Sequence, residues 1–276
     1  MTSAGLPDYL AQHIRRVDVV ASIAEPPKAW TELRARWDEF TDFHARPIQE
    51  QLITAVLEGD GDISTLKALA AAETSSSRAD VVLAVRGACY PRLIEIYSEV
   101  ADTNYAKVSK EFNAVASEFT AAAKQCDPEA DAETLIDQPD PVRTGWLDAQ
   151  RFAARLDKLV PVLVAAVELA GVSARDDTCL LPLLVDPTGC HRRRLWEAWR
   201  SAGERCGRWS AVVGLGARVR AADLDGFAPY REPKALMHKQ FPTRERGIYK
   251  PVVIDPEDED YVPPPEEPKR RGVLAR

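Results

Sequence analysis

CYPRLIEIYSEVADTNYAKVSKEFNAVASEFTAAAKQC, residues Cys89–Cys126, is the stretch whose reading decides the fold. Cys89, Leu93, Ile96 and Val100, and then Val108, Phe112, Val115, Phe119, Ala122 and Cys126, recur at alternating fours and threes. A strand would alternate every second residue, whereas this spacing lines one side of an α-helix with a narrow apolar seam. Such a seam is buried against another helix. Counted from Ala79 to Cys126, an unbroken helix would be roughly 70 Å long at ~1.5 Å per residue. Pro91 either bends that helix near its beginning or marks its true start. The one gap in the stripe falls at Thr103 and Asn104, and Asn104 reads either as a polar seam residue fixing register or as a surface position.

The seam's complement lies downstream. Ala149, Ala153, Leu156, Val160, Leu163, Val167 and Ala170 repeat the spacing, with Pro161 expected to kink the helix and Gly171 to end it. The proline-punctuated connection DPEADAETLIDQPDPVRTG (127–145) joins the two, so they are expected to fold back as an antiparallel helical hairpin. Upstream, Leu10, Ile14, Val17 and Val20 form a shorter stripe closed by Pro26 and Pro27. Trp30, Leu33, Trp37 and Phe40 form the next, and Asp62 is placed to cap a helix beginning ISTL. The segment 172–190, broken by Pro182 and Pro187, reads as either an irregular buried stretch or a short strand.

The expected fold class is mainly α: a helical bundle with a long antiparallel helical hairpin and an extended, proline-rich C-terminal arm. Its expected regions are an N-terminal helical part (1–75), the hairpin with a following amphipathic helix (76–225), and the arm (226–276). The 276 residues, 45% hydrophobic and 29% charged, are a globular composition able to bury a core. A net charge of -7 argues against a polyanion as main partner, so nucleic acid is not expected. Neither a membrane span nor a secretory signal is visible. Five scattered cysteines fit a reducing compartment, so the chain is expected to be made in the cytosol.

GCHRRRLWEAWRSAGERCGRW (189–209) is the stretch most suggestive of a ligand site. As one helix from His191 to Trp209 it puts Leu195, Trp199, Ala202, Cys206 and Trp209 on an inner stripe. Arg193, Glu197, Arg200, Glu204 and Arg208 then share the outer face, with acids that would repel phosphate. An ordinary amphipathic helix is the expectation, with Arg192 and Arg194 off that face and a phosphate contact near the helix start left open as the alternative. Cys179, Cys190, His191 and Cys206 lack the short knuckle spacing of structural zinc, so no metal is expected. GLGARV (214–219) has Val219 where a dinucleotide fingerprint needs its third glycine, and no phosphate loop, nucleophile elbow or zinc-protease helix appears. No catalytic residue and no cofactor are expected, and the chain is not expected to be an enzyme.

From Gly226 the character changes. Nine of the twenty prolines lie there, which disfavours helix and favours extended geometry. Between them stand apolar anchors: Phe227, Tyr230, Phe241, Ile248, Tyr249, Val252, Ile254 and Tyr261 are the expected partner-binding residues. GIYKPVVID (247–255) is suited to adding a strand to a sheet edge. The alternative is a solvated tail. In outline, a helical bundle with a reaching arm resembles the connector and adaptor proteins of bacteriophage particles, a likeness of architecture without a shared motif. It implies a structural subunit that docks its arm on neighbouring subunits, forms a homo-oligomer or larger assembly, and is incorporated into a virion. An intracellular scaffold or chaperone-like binding module, and a helical enzyme without recognisable motif, are the alternatives.

Overall fold

The structure is a computed structural model that describes residues 9–42, 48–58, 62–68, 78–201, 205–242 and 249–257. It is mainly helical. Helices α1 (Tyr9–Val20), α2 (Lys28–Asp42), α3 (Ile48–Glu58), α4 (Arg78–Ser98), α5 (Ala101–Ala123), α6 (Asp140–Leu169), α7 (Asp177–Leu184), α8 (Arg192–Arg200) and α9 (Arg208–Gly214) follow in chain order. The strands are short: β1 (Val185–Asp186) pairs antiparallel with β2 (Arg218–Val219), and β3 (Met237–Pro242) with β4 (Tyr249–Ile254). Residues 63–68 are also helical, and Asp62 caps them as its position suggests, its carboxylate accepting from the backbone N–H of Ser64 and Thr65.

Two apolar cores explain why the seam of Cys89–Cys126 is not one rod. Leu93, Ile96 and Tyr97 of α4 pack with Leu10, Ile14 and Val17 of α1 and with Trp30 of α2. Val108, Phe112, Val115 and Phe119 of α5 pack instead with Ala149, Ala153, Leu156 and Leu163 of α6. The chain passes from the first core to the second through a turn at Glu99 and Val100. Asn104 sits one turn beyond it, buried, with its amide donating to the Tyr97 hydroxyl at 3.3 Å. Pro91 and Pro161 are both accommodated inside helices, α4 and α6.

α5 and α6 run antiparallel. Gly145 lies against Gln125 and Ala122 at one end, where an added Cβ would stand 3.1 Å from the Gln125 side chain. Further along, Arg155 reaches Glu111 at 3.1 Å and Glu118 at 3.4 Å. α1 lies across the other end of α6, held by an Arg16–Glu168 pair, while its Val20 enters the larger core.

The stretch 189–209 differs from the expected single helix. α8 ends at Arg200, and α9 starts only at Arg208 behind Gly207, whose φ of 61° is a left-handed conformation favouring glycine. Leu195, Trp199, Cys206 and Trp209 are buried as their spacing implies. Arg193 is not on an outer face: it is 5% exposed. The periodicity that assigned it outward assumed that nothing lay over that side of the helix, and a distant part of the chain does.

Candidate functional site

Two indole rings at the heart of the α8–α9 region find acceptors for their N–H groups, as buried tryptophans require. Trp199 donates to the Asp177 carboxylate at 3.0 Å, Trp209 to Asp157 at 2.9 Å, and the two rings meet edge to face. Ahead of α9, Glu129 accepts from the backbone N–H of Arg205 and Cys206 and from the Ser210 hydroxyl. Burial pushes the Glu129 carboxyl up, but these hydrogen bonds outweigh it and hold the group below the usual range. Arg205 sits over Trp146, its Cζ 3.2 Å from the ring centroid, and donates to the carbonyls of Pro128 and Trp146. The C-terminal segment is mounted on this part of the fold, at α8.

Three contacts fix that segment. Tyr230 stacks on Trp196 with the rings nearly parallel, its hydroxyl donating to the Arg192 carbonyl at 2.9 Å and its backbone N–H to the Thr178 carbonyl. Burial pushes the Tyr230 hydroxyl up to about 12, so it stays a donor at any physiological pH. Arg193 grips Asp255 with two guanidinium nitrogens, Nη2 to Oδ1 at 2.8 Å, and also donates to the Lys234 carbonyl. Asp255 is fully buried, and the hydrogen bonds from Arg193 hold its carboxyl below the ordinary range. Beside it, Arg192 Nε donates to Glu257 at 2.9 Å, while Glu257 accepts the Lys234 N–H at 3.0 Å. Both crossings of the segment over the body, at 230–234 and at 255–257, are thereby pinned to consecutive arginines of α8.

Among the expected partner-binding residues, Phe227 and Tyr230 lie partly buried against the chain's own larger core. Val252 and Ile254 lie half-buried on β4, and Phe241 and Tyr249 belong to strands that pair with each other's neighbours in one hairpin. The strand partner of Tyr249–Ile254 is therefore Met237–Pro242 of the same chain, with Pro242 opposite Tyr249. Ile248 and Tyr261 lie outside the described residues. Sequence periodicity missed Arg192, Arg193, Asp255 and Glu257, because ion pairs across some sixty residues leave no periodic trace. The only signal available was a triple arginine upstream and a run of acids downstream.

A second feature lies along the solvent side of α5. Two connected depressions of about 670 and 570 Å³ share Asn113 and Arg220 and run between α5 and the segment 213–225. The Tyr105 hydroxyl donates to the Ala222 carbonyl, and the Ala221 N–H donates to Asn113, so both walls are braced across the floor. One end carries Asp102, Asp223 and Asp225, the other Lys124 and Arg218, with Lys110 between them. All six are exposed.

No protein-family model, curated protein or solved structure matches the chain. Among the described residues, no group of three or more His, Cys, Asp or Glu side chains is arranged to hold a metal ion. Cys190 and Cys206 each lie against a backbone carbonyl, of Leu215 and Pro128 respectively. No described helix is long and apolar enough to cross a membrane.

Proposed function

We propose that this protein is a non-enzymatic assembly subunit whose C-terminal arm docks on neighbouring subunits. The antiparallel α5–α6 hairpin is the rigid body of that subunit, and the proline-rich segment is its reaching part. In this it resembles the connector and adaptor proteins of phage particles in architecture, and the reading extends to a chain made in the cytosol and built into a particle as one copy of many. The observation that carries it is the latch: Arg192 and Arg193 hold Glu257 and Asp255 where the acidic, proline-rich last residues begin. A segment meant only to be solvated gains nothing from a buried, doubly hydrogen-bonded ion pair at its root, since taking both charges out of water is costly. A segment that must leave the body at a defined point does, because pre-organisation lowers the entropy cost of docking. Exposed Ile53, Val56 and Leu57 on α3 add apolar surface of the kind that subunit contacts cover.

Light scattering on the purified full chain tests the reading. The expected result is a molar mass several times that of one chain, falling when residues 258–276 are removed. A monomer, or an assembly whose mass is the same without those residues, overturns it.

A further inference from the structure

We propose that the groove along α5 is the receptor for the last residues of a neighbouring copy, 258–271. The inference rests on the assembly reading above and names the surface that the arm engages. The charges of the groove and of the tail run in register. Along α5, Lys124 and Asp102 are about 33 Å apart at ~1.5 Å per residue, and Lys110 lies about 21 Å from Lys124. The tail reads DEDYVPPPEEPKRR from Asp258, with acids at 258–260 and at 266–267 and bases at 269–271. Its prolines favour the extended polyproline helix, which rises ~3.1 Å per residue. From Glu259 the distances are then about 22 Å to Glu266 and about 34 Å to Arg270.

Laid with its acidic block on Lys124 and Arg218, such a tail brings Glu266 to Lys110. Its basic block, Lys269 to Arg271, reaches Asp102, Asp223 and Asp225. The reverse direction sets like charges together at both ends. Tyr261 and Val262 would fall beside Ala121 and Val213, apolar residues of the wall at the basic end. Polyproline segments dock in preformed grooves at little entropic cost because they are already extended. The floor is preformed here by the Tyr105–Ala222 and Ala221–Asn113 hydrogen bonds.

The experiment uses full-length protein, one half of it labelled with ¹⁵N, mixed at assembling concentration and treated with a carbodiimide that joins carboxylates directly to lysines. Mass spectrometry should find the 258–260 carboxylates joined to Lys124, and Lys269 joined to Asp102, Asp223 or Asp225, in peptide pairs of mixed isotope. In parallel, Lys124→Glu with Arg218→Glu should raise the concentration for half-assembly at least tenfold. Combining those changes with Glu259→Lys and Asp260→Lys should restore it. Cross-links confined to one isotope mean that the tail occupies its own groove and overturn the proposal. Tail cross-links that avoid the groove overturn it too, as does a charge-reversed groove that assembles unchanged. A chain that stays monomeric under all conditions defeats the assembly reading itself, whereas an oligomer indifferent to the groove changes defeats this inference alone.

Discussion

Arg193 and Asp255 show how much one pair can hold. Each is almost wholly excluded from water, and each is the other's main partner. Removing one leaves an unpaired buried charge, which costs about 3–5 kcal/mol. Arg193→Ala is therefore expected to lower the urea midpoint strongly, and Arg193→Met with Asp255→Leu to recover most of it, because the double change removes both charges. A midpoint unmoved by Arg193→Ala would mean that the pair is solvated. His13 makes a different demand. It is 6% exposed, accepts the Trp30 indole N–H at 3.3 Å, and lies among the rings of Tyr90 and Tyr97. Burial first, and the nearby Arg16 charge second, lower its pKa from 6.5 to about 4. Between those values the unfolded chain binds a proton that the folded chain refuses, so stability rises with pH across the window and is lost as pH falls through it. At ~1.4 kcal/mol per pH unit the loss approaches 3 kcal/mol by pH 4. Urea titrations at pH 7, 5.5 and 4 check this, and His13→Leu should flatten the slope even though it lowers stability at pH 7. An equal slope in the variant would assign the acid sensitivity to other groups.

At the scale of elements, the α5–α6 contact is where periodicity is most dependable. Val108, Phe112, Val115 and Phe119 stand at fours and threes, and all are buried against α6. Here the local pattern and the tertiary environment agree, so the residues announce their own burial. Leu156 is fully buried in that seam, and Leu156→Ala should cost about 2–5 kcal/mol in transfer and cavity terms, measured by denaturant unfolding. A loss under about 1 kcal/mol would show the seam able to collapse onto the vacancy. Where two environments meet, the pattern misleads. Cys89–Cys126 resumes its apolar rhythm beyond the gap at Thr103 and Asn104, so the stripe reads as one helix although α4 and most of α5 serve different cores. Similarly, Leu195 to Trp209 keeps one stripe across the break between α8 and α9, because both helices face the same interior. Burial was thus legible in sequence, and continuity was not: the break before α9 leaves the phase of the stripe intact, and the gap at Thr103 and Asn104 reads as readily as a polar residue within one helix as the sign of a turn. The latch was less legible still: the outward phase of Arg193 is correct for an isolated α8, and it is the distant segment carrying Lys234 and Asp255 that covers it.

At the scale of the whole molecule, the consequence is where the body ends. Composition changes at Gly226, yet Tyr230 stacks on Trp196, Arg193 holds the Lys234 carbonyl, and Asp255 closes the latch. Two truncations separate composition from structure. A chain ending at Glu257 keeps all three contacts, so its thermal and denaturant midpoints should match those of the full chain within about 0.5 kcal/mol, the usual scale for surface changes. A chain ending at Gly226 keeps none of them. It uncovers the 8%-exposed Trp196 and strands the Arg193 guanidinium on a surface shaped to pair it. That chain should unfold at a lower denaturant midpoint than the chain ending at Glu257, with tryptophan emission shifted to the red as Trp196 meets water. The comparison turns on the difference between the two, because loss of the tail alone removes charge and length in both. If both truncations unfold alike and match the full chain, residues 227–257 are carried without being held, and no fixed point exists from which an arm could depart. If only the shorter one fails, then the part of the chain that looks like an arm by composition is half body, and what remains free to reach a neighbour starts beyond Glu257.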